Sequence, residues 1–161
     1  MPMLDDFKWP DIEGEADETI IRNIRKHGCH IVSIWDANPK YAFSVGLFLN
    51  YGHAEVMIFG LASSDSASII NDVRDRAAAG RSYVAGDICD DILDDRQVAF
   101  AEVPLQAYDR YLGTAIWFYY KCRRPFPCLQ IVWPDREGRF PWQSGHDAAL
   151  KQYQPVLKSF S

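Results

Sequence analysis

The segment Leu129-Gln130-Ile131-Val132-Trp133-Pro134-Asp135-Arg136-Glu137-Gly138-Arg139-Phe140-Pro141-Trp142 constrains the fold more than any other part of this chain. Its apolar, β-branched opening predicts a strand over Cys128–Trp133. Pro134, Asp135 and Gly138 predict a turn, and the run to Trp142 reads as the returning arm of a hairpin. Two tryptophans and two prolines in so short a span restrict the backbone and supply large, rigid apolar surface. The segment is therefore expected to anchor the domain or its binding face, holding shape rather than performing covalent chemistry.

The rest of the chain supplies elements to pack around that strand. Residues 1–15 are acidic and irregular, with Trp9-Pro10 as a tether. From Ala16 to His27, Ile20, Ile21 and Ile24 recur at helical spacing. Acids open that helix, Arg25, Lys26 and His27 close it, and Gly28 stands at the expected left-handed cap. Strands are predicted over His30–Trp35, Ala42–Leu47 and Glu55–Leu61, joined by short spacers rich in Asn, Pro and Gly, as in an antiparallel meander. Ser63 or Ser64 is placed to cap a helix through Ala79, ended by Gly80. Val98–Val103 reads as a strand, followed by a helix from Pro104 through about Tyr120 and a short helix near Asp147–Tyr153. Helices interleave irregularly with strands, which favours α+β. The expected architecture is a mostly antiparallel curved sheet or partly closed barrel flanked by two long helices, in a single domain over residues 1–161.

Composition narrows the classes of function. A chain of 161 residues that is 48% hydrophobic can bury one sizeable core. Five Trp, eight Tyr and nine Phe exceed what a minimal core needs, and surplus aromatics suit a groove or an interface. A net charge of −5 argues against nucleic-acid backbone as the main ligand, since that requires clustered Lys and Arg. The only dense basic run is Lys121-Cys122-Arg123-Arg124, read as a solvated helix end. Cys29, Cys89, Cys122 and Cys128 form no Cys-x-x-Cys pair. The acidic N-terminus does not read as a signal peptide, and no run is long enough to span a bilayer. A cytoplasmic protein with reduced thiols, no metal, no cofactor and no membrane partner is expected.

The order His27-Gly28, Phe43-Ser44-Val45-Gly46-Leu47, Gly52-His53-Ala54-Glu55, Phe59-Gly60-Leu61, Leu129-Gln130, Trp133-Pro134-Asp135, Gly138, Pro141-Trp142 and Gln154-Pro155 resembles an uncharacterised bacterial family of single-domain proteins, catalogued as a domain of unknown function. The resemblance runs from roughly residue 20 to 157. It implies a shared fold and cellular setting and supplies no reaction. Its members usually carry His-Pro-Glu where this chain has His53-Ala54-Glu55, so the turn before the third strand is expected to be looser here.

Each candidate for chemistry has a plainer explanation. His53 and Glu55, two apart on a strand, would project from one face, where a carboxylate tunes an imidazole; a loop histidine and a strand-edge carboxylate are the ordinary reading. Cys29 between His27 and His30 suggests a nucleophile or half a metal site, against a helix terminus and a buried thiol. The acids Asp87, Asp90, Asp91, Asp94 and Asp95 lack the spacing of a calcium loop and read as a solvated face or a surface for a basic partner. Ser44 has no nucleophile-elbow setting, and Gly46 reads as a bulge within its strand. Tyr41, Phe43, Trp133, Phe140 and Trp142 either wall a pocket around Gln130 or form a small aromatic core clamping the 134–141 turn.

No catalytic signature emerges. The first expectation is a cytoplasmic binding protein acting by protein–protein interaction, as a partner or inhibitor module of the toxin-neutralising kind. Its candidate binding residues are Tyr41, Phe43, His53, Glu55, Gln130, Trp133 and Trp142. The alternative is a small-ligand or enzyme domain, similar at fold level to flavin-binding split barrels, with its ligand against Phe43, His53, Gln130 and Trp133. A third is a homo-oligomer that buries exposed aromatics at a two-fold interface.

Overall fold

The computed structural model describes residues 6–122 and 125–158. The ends of the chain, and Arg123 and Arg124 of the basic run, lie outside the described residues. No helix among them is long and apolar enough to cross a membrane. The elements are α1 (Glu15–His27), β1 (His30–Ile34), β2 (Tyr41–Val45), α2 (Leu47–Tyr51), β3 (Glu55–Phe59), α3 (Ser63–Ala78), β4 (Ile88–Cys89), β5 (Val98–Glu102), α4 (Tyr108–Tyr111), α5 (Gly113–Tyr119) and β6 (Cys128–Val132). Short 3-10 turns cover Leu105–Ala107 and Ala148–Gln152.

The fold is α+β, built on one open, mixed sheet with the order β1-β2-β3-β6-β5-β4. The expected meander β1-β2-β3 is antiparallel; β3 then pairs in parallel with β6, and the pairs β6-β5 and β5-β4 are antiparallel. The terminal strands β1 and β4 do not meet, so the sheet has two edges rather than a barrel's closure. β2, β3 and β6 are buried along their whole length, as strands covered on both faces must be.

Strand periodicity divides the interior. Phe43, Val45, Met57, Phe59 and Cys128 face one side, packed with Ile24 of α1 and with Leu112, Phe118 and Tyr119. Ala42, Val56, Ile58, Phe100, Leu129 and Ile131 face the other, covered by Ile69, Ile70 and Val73 of α3. Toward β5, the first face is closed by Phe140 packed on Ala99, Ala101 and Val132. The Trp9 tether is present: its ring meets Phe118 edge-on at 5.6 Å and lies under the Arg25 guanidinium at 3.9 Å.

Six expectations about individual elements are corrected. The second strand ends at Val45, because Gly46 takes φ 115° and the chain turns into α2 instead of bulging within a strand. The helix expected from Pro104 through about Tyr120 is broken: Leu112 leaves helical geometry (φ −117°, ψ 37°), splitting it into α4 and α5. Ser63 and Ser64 make no side-chain cap on α3; Ser63 Oγ instead meets Ser33 Oγ at 2.7 Å. The strand expected to Trp133 stops at Val132, and the Asp147–Tyr153 helix is a 3-10 turn. Beyond Val132 there is no returning strand among the described residues. The Asp135 carboxylate accepts from the amides of Glu137 and Arg139 at 2.9 Å each and of Asp147 at 3.0 Å, so a carboxylate-centred loop replaces a ladder.

Candidate binding site

Glu55 is the most heavily committed polar side chain among the described residues. It is 0% exposed at the start of β3, beside the left-handed turn at Gly46. Oε1 accepts from Ser44 Oγ (2.7 Å) and the Leu47 amide (3.2 Å); Oε2 accepts from the amides of Gly46 (2.9 Å) and Phe48 (3.2 Å) and from the Tyr119 hydroxyl. The carboxylate thus receives the orphan N–H groups that open α2, a helix with no side-chain cap of its own. Ser44 Oγ in turn accepts the Val56 amide at 3.0 Å, and the Tyr119 hydroxyl accepts the Leu49 amide at 3.2 Å. Burial pushes the Glu55 pKa above its ordinary value, while hydrogen bonds from Tyr119, Ser44, Gly46 and Phe48 pull it back.

His53 does not share a strand with Glu55, because β3 begins only at Glu55. Its Nδ1 lies 2.7 Å from the Ala54 carbonyl and its Nε2 accepts the Tyr83 amide at 3.1 Å. That pairing fixes a neutral ring with the proton on Nδ1, since a proton on Nε2 would confront the amide N–H. Burial lowers its pKa. The imidazole and the carboxylate therefore do not work as a pair: one pins the loop at Tyr83 and the other builds α2.

What His53 does line is a groove of about 600 Å³ at the end of the sheet where β3 and β6 begin. Its walls include Tyr83, Val103, Tyr108 and Phe126, and they are braced. Tyr83 stacks on Phe100 with centroids 4.5 Å apart, and the Tyr108 hydroxyl donates to the Phe126 carbonyl at 2.8 Å. Val84 (58% exposed) and Leu105 (61% exposed) stand at the rim.

The remaining candidates are dispersed. Tyr41 and Phe43 are buried in the first-face core. Gln130 is sealed beneath the C-terminal tail, donating to the Pro155 carbonyl at 2.7 Å and accepting the Leu157 amide at 3.0 Å. Trp133 is held by Gln154, whose side-chain amide bonds both its N–H and its carbonyl at 2.9 Å, while its indole donates to the Phe59 carbonyl at 2.8 Å. Gly60 is required beside this clasp: at φ 84° an added Cβ would lie 2.7 Å from the Tyr153 carbonyl oxygen. Trp142 stacks on Phe140 (5.3 Å), with the Lys158 ammonium 4.2 Å from its ring. These aromatics clamp separate segments.

The Cys29 thiol is pushed up to about 12, chiefly by burial and then by Glu55, which removes the thiolate a nucleophile needs. His30 pairs with the Asn23 amide at 3.0 Å, and His27 is exposed. In the acidic segment, Asp91 accepts the Tyr83 hydroxyl at 3.1 Å and lies 3.6 Å from both Arg76 and Arg81, so it belongs to an internal cluster; Asp90, Asp94 and Asp95 are exposed. Among the described residues, no group of three or more His, Cys, Asp or Glu is placed to hold a metal ion.

Sequence reasoning did not reach Ser44 and Tyr119 as the partners of Glu55, Tyr83 as the partner of His53, or Gln154 as the clasp on Trp133. Only Gln154, placed directly before Pro155-Val156-Leu157, carried a local signal. No curated protein and no solved structure matches the chain. Residues 23–147 match the model of the family described as Domain of unknown function (DUF4262), and the chain belongs to that family.

Proposed function

We propose that this protein is a cytoplasmic binding module that acts by protein–protein interaction, taking an apolar segment of its partner into the groove between Tyr83 and Phe126. One observation carries the reading: an open groove with braced aromatic walls and an exposed apolar rim at Val84 and Leu105. Rigid aromatic walls suit recognition because little side-chain entropy is lost on binding. The polar candidates nearby add a supporting argument, since His53 and Glu55 spend their hydrogen bonds inward. An inhibitor role of the toxin-neutralising kind belongs to this proposal, and an adjoining gene for a toxin-like protein is its expected genomic correlate.

The test places a photoreactive amino acid at Val84 or Leu105 in the native host, with the exposed Ile12, outside the groove lining, as control. A single partner cross-linked from both rim positions and lost in Leu105→Glu is the expected result. Recovery of the protein alone from both rim positions overturns the reading. A second reading has its own observation: a groove of about 600 Å³ falls within the size range of small-molecule sites. Native mass spectrometry of protein purified from its host distinguishes the two, because a co-purifying small molecule, flavin included, would replace the protein partner.

A further inference from the structure

The two edges of the sheet are built differently. β4 is only two residues long and is set among Asp87, Asp90, Asp91, Asp94 and Asp95, a short and negatively charged edge of the kind that resists strand pairing. β1 has five residues, His30–Ile34, with no Lys, Arg, Asp, Glu or Pro among them. It pairs only with β2, and among the described residues no other group bonds its main chain. Beside it opens a groove of about 390 Å³ between Asn23 and His27 of α1 and Asn71 and Arg74 of α3, floored by Cys29 and Ile31. Immediately after the strand stands Trp35, the most exposed large apolar side chain described, at 73%.

Symmetry joins these features. A two-fold axis perpendicular to a sheet keeps each face on its own side, so antiparallel pairing of β1 with its own copy must match residues of equal parity. The register that pairs all five residues centres on Val32, opposing His30 to Ile34 and Ile31 to Ser33. Continued one step, it opposes Trp35 to Cys29 of the other copy. Cys29 and Ile31 pack on the α3 side of the sheet, and Trp35 shares their parity. The exposed indole of each copy therefore arrives over the groove floored by Cys29 and Ile31 in the other. One step further, Asp36 meets the end of α1 that carries Arg25, Lys26 and His27, a match of charge as well as shape.

We propose that the protein forms a two-fold dimer through antiparallel β1–β1 pairing, with Trp35 of each copy seated in the α1–α3 groove of the other. The inference is independent of the proposed function, because this edge shares no residue with the groove lined by Tyr83 and Phe126.

Sedimentation velocity from low micromolar to several hundred micromolar concentration tests it, using the full chain and two variants. Trp35→Glu removes the inserted side chain at an exposed position; Asn71→Phe fills the groove from α3. The wild type is expected to dimerise, and each variant to raise the dissociation constant by at least about thirty-fold, as loss of a buried aromatic anchor does. Melting of both variants that matches the wild type at concentrations low enough for every chain to be monomeric shows that folding is intact. Mixing the two variants regenerates one intact Trp35–groove contact per pair, so the mixture should associate more tightly than either variant alone. A wild type that stays monomeric throughout, a dimer indifferent to both substitutions, or no gain on mixing overturns the proposal.

Discussion

Glu55 and Asp135 perform the same local task in different settings, one beneath the core and one within a surface loop. Each carboxylate collects several main-chain N–H groups and so builds a bend that the backbone could not satisfy alone. Glu55 is sealed between β2, α2 and Tyr119. Asp135 is itself only 4% exposed, but it sits in a loop whose next four residues, Arg136, Glu137, Gly138 and Arg139, are all exposed. The hydrogen bonds are alike, but their consequences for ionisation are not. Around Glu55, burial outweighs five donors and raises the pKa. Around Asp135, the amide of Arg139, joined by those of Asp147 and Glu137, outweighs a smaller desolvation and lowers it. Donor number alone therefore does not set the direction of a shift; the water lost in gathering those donors decides it.

The comparison is most easily broken at its buried end. Glu55→Ala strands the amides of Gly46, Leu47 and Phe48 and removes an acceptor from Ser44 and Tyr119. With each unsatisfied buried group costing about 1–3 kcal/mol, the loss should be on the order of 4 kcal/mol or more. Chemical denaturation measures it, and a loss below about 1 kcal/mol would mean that water enters and replaces the carboxylate. Tyr119→Phe is the finer cut. It deletes one donor to Glu55 Oε2 and the acceptor of the Leu49 amide while keeping the ring packed against Phe126. About 2 kcal/mol is expected, and a double-mutant cycle with Glu55→Ala should show strong non-additivity because the two share a contact.

This knot was largely illegible in the sequence. β2, β3 and β6 were legible as short apolar runs between turn residues, because strands covered on both faces carry continuous rather than alternating apolar character. α2 was hidden because Leu47-Phe48-Leu49 continues an apolar run, and the group that caps it, Glu55, comes after the helix in the chain. Tyr119 lies 64 residues from Glu55, a pairing no local pattern announces. The Trp133–Trp142 segment failed differently. Its turn residues were recognised, but an aspartate that satisfies three amides removes the need for a second strand. His53, expected to act with Glu55 or beside Phe43, Gln130 and Trp133, lines the groove without any of them. Its partner is the Tyr83 amide rather than Glu55, and the groove is assembled from segments distant in sequence.

Titration sharpens the comparison without disturbing the fold. Side-chain carbon resonances should place Glu55 above its ordinary value of 4.5 and Asp135 below 3.8. The linkage signs are then opposite. Asp135 contributes stability that is complete above 3.8 and lost as pH falls through its lower folded value. The contribution from Glu55 is complete below 4.5 and is lost as pH rises through its higher folded value. Finding Glu55 ionised at a lower pH than Asp135 would reverse the ranking of burial over donor count.

The smallest effect belongs to Asp135→Ala, and its character matters more than its size. The residue orders a loop at one end of the sheet rather than a helix beneath the core. Its loss frees the amides of Glu137, Arg139 and Asp147 near solvent, where water can replace the carboxylate. Hydrogen exchange should therefore quicken at those three amides, while amides of β3 and β6, tied into the centre of the sheet, keep their protection. Phe140 links the two regions, because it packs on Ala99, Ala101 and Val132. If exchange in β5 and β6 rises together with that of the loop, the loop is part of the cooperative core, and the distinction between a central hub and a peripheral one fails at this contact.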